Sequence, residues 1–81
     1  MFGRREPIQV TVVVHGPAAR TIRPGTYELK SGAKIKALLR QAGHSGPLGS
    51  VTCLIEGERV GPAHKLAGGE TVTVLQMVAG G

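Results

Sequence analysis

Apolar and polar positions alternate from Ile8 to His15, with Ile8, Val10, Val12 and Val14 on one side and Gln9, Thr11, Val13 and His15 on the other. A period of two in β-branched residues predicts a half-buried strand. Gly16-Pro17 closes it, because glycine takes turn dihedrals and proline cannot donate to a ladder. A second extended stretch is expected between Thr21 and Lys30, broken by the turn signal Pro24-Gly25. Its best part is Thr26 to Lys30, where Tyr27 and Leu29 share a face.

From about Gly32 to Ala42 the period changes. Ile35, Leu38, Leu39 and Ala42 fall at i, i+3, i+4 and i+7, the single apolar stripe of a surface helix. Ser31 is the expected N-cap and Gly43 the left-handed residue past the C-terminus. Lys34, Lys36, Arg40 and Gln41 take the solvent side, with Arg40 at the end where the helix dipole favours a cation.

After a Gly/Pro/Ser loop at 43–50, residues Val51 to Glu56 read as a buried strand that turns through Gly57 and Glu58 into a short return at Arg59-Val60. Gly61-Pro62 and Lys65-Leu66 form an irregular connection, and Gly68-Gly69 turns the chain into a last strand over Thr71 to Val78. There Val72, Val74 and Val78 share one face, and Thr71, Thr73, Leu75 and Met77 the other. If the valines face the core, Leu75 and Met77 point outward, and exposed adaptable apolar side chains mark a docking patch.

Two strands, one helix and further strands predict an α+β roll, with the helix as crossover if the last strand lies parallel beside the first. This is the β-grasp arrangement: a mixed four- to five-stranded sheet under one covering helix. The expected domain spans residues 8–78, preceded by a flexible segment at 1–7 and followed by a flexible tail at 79–81.

Size and charge narrow the function. Eighty-one residues make one small domain, with little chain for a catalytic cleft, so a non-enzyme is expected. The formal charge of +5 raises nucleic acid as a partner. Phe2 and Tyr27 are the only aromatics, however, and no basic run exceeds Arg4-Arg5, so stacking platforms are missing. An acidic protein surface fits this charge better than nucleic acid does. The lone Cys53 cannot form an internal disulfide and points to a reducing cytoplasm. No signal peptide is visible, the longest apolar run (Val12 to Val14) is too short to cross a membrane, and a monomer is expected.

Side chains that could carry chemistry mostly have structural explanations. His15, His44 and His64 lack partners at metal-ligand spacing, so no metal site is expected and they read as surface or turn residues. Ser31-Gly32-Ala33-Lys34 fits a Ser-x-x-Lys pattern, but it opens the covering helix and reads as a cap. Cys53, inside a buried strand, reads as a small core hydrophobe. No phosphate-binding glycine loop followed by Lys-Ser/Thr is present.

The tail differs from all of these. Glycine is in excess, at 13 residues, and two of them are Gly80 and Gly81. A C-terminal carboxylate is ionised at neutral pH, a competent oxygen nucleophile, and inert as an electrophile until its oxygen becomes a leaving group. Residues without bulk, extended past Val78, reach about 10 Å from the domain and can thread a narrow channel.

The run from Leu66 to Gly81, LAGGETVTVLQMVAGG, resembles without a gap the ending of the small ubiquitin-like sulfur carriers. That family reads Leu, two residues, Gly-Asp, one residue, Val, then a hydrophobic strand closing in Val-x-Gly-Gly. Ile55 to Val60 is similar to its Val-Asn-Gly-x-x-Val turn, and Thr26 to Leu39 to its strand-to-helix segment; the match covers roughly residues 8–81. Two departures stand out. Glu70 replaces the usual Asp, which alters reach at the turn. Gln76-Met77 replaces the Pro-Pro pair common in the small subunit of molybdopterin synthase, which favours a thiamin-type or general carrier.

The resemblance implies that an E1-like enzyme uses ATP to adenylate the Gly81 carboxylate. A persulfide then replaces AMP, leaving a C-terminal thiocarboxylate for a sulfur-accepting biosynthetic enzyme. Gly80 and Ala79 would thread the activating enzyme, and Leu75, Met77 and Val78 would hold the partner. The carrier itself binds no cofactor; ATP belongs to its activating partner. The alternatives are the molybdopterin synthase small subunit, or a ubiquitin-like modifier whose acyl group passes to a lysine.

Overall fold

In the computed structural model, which describes residues 6–76, the first and last strands lie side by side and parallel, as the crossover arrangement requires. The strands are β1 (Ile8–His15), β2 (Gly25–Leu29), β3 (Thr52–Ile55), β4 (Glu58–Val60) and β5 (Thr71–Leu75), with one helix, α1 (Ile35–Gln41). They form one five-stranded sheet in the order β2-β1-β5-β3-β4. Only β1 and β5 are parallel; β2 is antiparallel to β1, and β3 to both β5 and β4. This is the mixed-sheet β-grasp roll expected from the sequence.

The inner face of the sheet follows the alternation. Val10, Val12, Val72 and Val74 are buried under the helix stripe of Ile35, Leu38, Leu39 and Ala42. Cys53 lies opposite Val74 and is buried, as expected. Each large apolar side chain taken out of water there contributes about 1.5–3 kcal/mol, the term that holds so small a domain together.

Several local expectations need correction. The helix begins at Ile35, not at Gly32, and Ser31 is not its N-cap; Lys34 holds that position, in an extended conformation and with no side-chain cap. The reason is tertiary. Lys34 bridges to Lys65, the Ile35 N–H donates to the His64 carbonyl at 2.9 Å and the Lys36 N–H to the Pro62 carbonyl at 3.0 Å. The connection at 61–66 thus supplies the acceptors that a capping side chain would otherwise supply.

At its other end α1 stops as expected before Gly43, whose φ is +112°. A Cβ there would stand 2.5 Å from the Thr21 backbone oxygen, so the position needs glycine for space as well as for conformation. The Arg23 N–H also donates to the Ala42 carbonyl at 2.8 Å, tying the β1–β2 connection to the helix end.

That connection is more structured than a simple turn. Gly16–Arg20 forms a 3₁₀ segment, in which Ala18 is buried, and Ile22 beyond it is wholly buried. The extended stretch expected from Thr21 to Lys30 therefore forms a strand only from Gly25. A second short 3₁₀ segment, Leu48–Ser50, lies in the loop before β3.

The β3–β4 turn sits one residue earlier than expected, so β3 ends at Ile55 and β4 already begins at Glu58. Ile55 pairs with Glu58, so the two-residue loop is Glu56-Gly57, with φ of +52° and +80°. Two successive positive values suit the twist of an antiparallel pair. His44 lies in the loop after α1, the turn alternative of its reading, but is buried and not on the surface; its Nε2 lies 3.0 Å from the Pro47 carbonyl. A carbonyl only accepts, so Nε2 carries the proton and the ring holds the following loop.

Candidate partner-docking face and chain exit

The strand polarities give the sheet two unlike ends. β1 and β5 run from a lower end, where Ile8 and Thr71 lie, to an upper end where His15 stands beside Leu75. α1 runs the same way, and the connections Gly16–Arg20 and 42–51 sit at the upper end. The chain leaves the sheet there, through Gln76. A Cβ on Gly16 would lie 3.5 Å from the Gln76 carbonyl oxygen, which places the exit against the start of the 3₁₀ turn.

The lower end fixes how β5 enters. Both oxygens of the Glu70 carboxylate accept backbone N–H bonds, Oε2 from Ala67 and Oε1 from Gly68, each at 2.7 Å. The Gly69 N–H donates to the Gln9 carbonyl at 2.7 Å and the Thr11 N–H to the Glu70 carbonyl at 3.0 Å. The turn is thus closed by a side chain and stitched to β1, which sets the register of β5. Partial desolvation pushes the Glu70 carboxyl up, but backbone N–H bonds from Ala67, Gly68 and Glu70 itself, with His64 nearby, outweigh it and hold the group below its usual range. The longer Glu70 side chain therefore does reach the backbone of this turn.

The outer face of the sheet carries the docking candidate. Leu75 is half-buried there, between His15 on β1 and Thr52 on β3. One row down, Val13, Thr73 and Leu54 lie side by side across three strands, all half-buried, with the exposed Arg59 beyond them. Val13 and Leu54 flank Thr73 from the two neighbouring strands and Leu75 lies one row up on β5, so three half-buried apolar residues surround one threonine on this face.

Of the residues singled out from the sequence, Leu75 lies on this face as expected. Met77, Val78, Ala79, Gly80 and Gly81 lie outside the described residues. Val13 and Leu54 were missed. Val13 gives a faint signal as the one apolar residue on the polar side of β1. Leu54 gives none, because a continuous apolar run hides which residue faces out.

The other candidate groups are structural. Burial pushes the Cys53 thiol up, away from the thiolate that sulfur chemistry needs. Among the described residues no group of His, Cys, Asp and Glu is placed to hold a metal ion, and no helix is long and apolar enough to cross a membrane.

No family model matches the chain, and no curated protein matches it in sequence. Among solved structures it is similar to the crystal structure of SAMP1 from Haloferax volcanii, with a TM-score of 0.61 at 13% identity. The alignment covers 90% of this chain and 99% of that one. At that identity the likeness is one of fold, the ubiquitin-like β-grasp, shared along nearly the whole length of both chains.

Proposed function

We propose that this protein is a sulfur carrier, a substrate rather than a catalyst, whose Gly81 carboxylate is activated by an E1-like adenylating enzyme. The observation that carries the reading is the placement of the chain exit. The central strand β5 leads out at Gln76, beside the half-buried outer face, toward Val78-Ala79-Gly80-Gly81.

The chemistry follows from what a carboxylate can do. A Gly81 oxygen attacks the α-phosphorus of ATP, which the enzyme supplies, and pyrophosphate leaves. AMP is then the leaving group on the acyl carbon. A persulfide sulfur displaces it to give an acyl disulfide, and a donor thiol cleaves the S–S bond. That releases the thiocarboxylate and leaves a disulfide on the donor. Gly80 and Ala79 have no bulk to obstruct a channel, while Leu75, Met77 and Val78, together with Val13 and Leu54, hold the enzyme. The carrier then delivers sulfide to a biosynthetic enzyme in a thiamin-type pathway, within the reducing cytoplasm that a lone buried cysteine suits.

Intact mass spectrometry after incubation with the activating enzyme, ATP and a sulfur donor tests this. The expected result is replacement of one oxygen by sulfur, abolished by deletion of Gly81. An active enzyme that leaves the mass unchanged overturns the carrier reading. Gly-Gly remnants on lysines of other proteins, with no sulfur gained, would assign the same tail to a protein modifier instead.

A further inference from the structure

The described residues hold eight Lys and Arg side chains and five Glu. All five glutamates belong to the lower half of the molecule. Glu6 precedes β1, Glu28 pairs with Gln9 near the start of β1, Glu56 and Glu58 form the lower hairpin, and Glu70 precedes β5. Five of the bases, Lys30, Lys34, Lys36, Arg59 and Lys65, lie at that end or along the β4 edge and match the glutamates in number. The remaining three, Arg20, Arg23 and Arg40, stand at the upper end, where the chain leaves the sheet.

The fold brings these three together from two elements. Arg20 ends the 3₁₀ turn that packs on both β1 and β5, and Arg40 lies in the last turn of α1. The Arg23 N–H donates to the Ala42 carbonyl at 2.8 Å, and the Thr21 carbonyl crowds Gly43. All three arginines are exposed, and no carboxylate side chain among the described residues shares their end. The side-chain net charge of the described domain, +3 by this count, is therefore concentrated beside the chain exit.

We infer that the upper end is a docking surface for an acidic protein surface surrounding the tail channel of the activating enzyme, with Arg20, Arg23 and Arg40 steering the approach. The inference rests on the carrier reading and adds to it the chemistry of the partner. Like charges confined to one end accelerate encounter with an oppositely charged patch and orient it, so the tail arrives first. Nucleic acid is disfavoured because the one aromatic residue among the described residues, Tyr27, is half-buried and donates its hydroxyl to the Arg23 carbonyl, which leaves no base-stacking platform at this end.

The test compares wild type with Arg20→Glu/Arg23→Glu/Arg40→Glu. A lower-end control, Lys30→Glu/Lys36→Glu/Lys65→Glu, changes net charge equally. Folding of each is checked by circular dichroism. Chain-dependent ATP–pyrophosphate exchange by the activating enzyme gives KM and kcat, and interferometry without ATP measures docking alone. The upper-end variant should raise KM about tenfold or more at low salt with kcat within about twofold, and the control should change KM by less than about twofold. Wild-type KM should rise steeply with salt, and that of the upper-end variant should not.

Equal KM in wild type and the upper-end variant overturns the inference, as does an equal rise in the control. Docking that the upper-end variant loses, with no exchange by wild type, overturns the carrier reading and leaves the acidic-surface inference standing. Tight binding of a single-stranded oligonucleotide, lost only in the upper-end variant, would assign the surface to nucleic acid and overturn the inference.

Discussion

The lower and upper ends of the sheet use charge in opposite ways. At the lower end Glu70 turns its carboxylate onto the N–H groups of Ala67 and Gly68, and the connection at 61–66 turns its carbonyls onto the helix start. At the upper end Arg20, Arg23 and Arg40 point their charges at solvent, and backbone contacts and a glycine do the fixing. The difference separates two jobs that share 81 residues. At the lower end a carboxylate and several carbonyls bond to the protein's own backbone, and the exposed charges there are of both signs. The exposed charges beside Gln76, by contrast, are all arginines.

Substitutions can break that separation or sharpen it. The largest effect is expected at the core both ends share: Leu38→Ala should cost about 2–5 kcal/mol, read as a lower urea midpoint, since a wholly buried leucine leaves a cavity. Gly43→Ala comes next, at about 2–3 kcal/mol by the same measurement, because the backbone is left-handed and the Thr21 carbonyl must shift. A neutral result would mean that the upper end is looser than its contacts indicate.

Glu70→Ala should cost about 1 kcal/mol at neutral pH, discounted for an incompletely buried carboxylate. Because folding lowers the pKa of this group, its contribution is present above the ordinary glutamate range and is lost as pH falls through the depressed folded value. Wild type and variant should therefore converge in thermal midpoint on acidification. The smallest stability effect is expected for Leu54→Ser on the outer face, within about 0.5 kcal/mol. The same change should weaken docking to the activating enzyme several-fold. A stability loss as large as that of Leu38→Ala would show instead that Leu54 belongs to the core.

The sequence revealed what depends on period and concealed what depends on distant partners. Alternation in β1 and β5 and the stripe from Ile35 to Ala42 located the core faces, and the order of elements implied the parallel β1–β5 pair. Ser31 misled because the helix start is capped by carbonyls of Pro62 and His64, roughly thirty residues away in the chain, which no local rule anticipates. Gly16-Pro17 announced a turn and hid the 3₁₀ segment that buries Ala18 and leads to Ile22. His44 reads as a surface or turn residue, yet the Pro47 carbonyl accepts from its Nε2 and the ring is buried. On the docking face Leu75 was legible from its phase, whereas Val13 and Leu54 gained meaning only when register set them in one row. The arginines were visible as charges; their gathering at one end is a property of topology.

The central position of β5 has a mechanical consequence. A pull on the tail along the strand acts on ladders to β1 and β3 at once, and the parallel β1 is anchored from the far end. The hydrogen bonds then resist together, in shear, and cannot unzip one at a time from a free edge. Tension applied beyond Gln76 would thus pass into a strand held on both sides, and through β1 into the rest of the sheet.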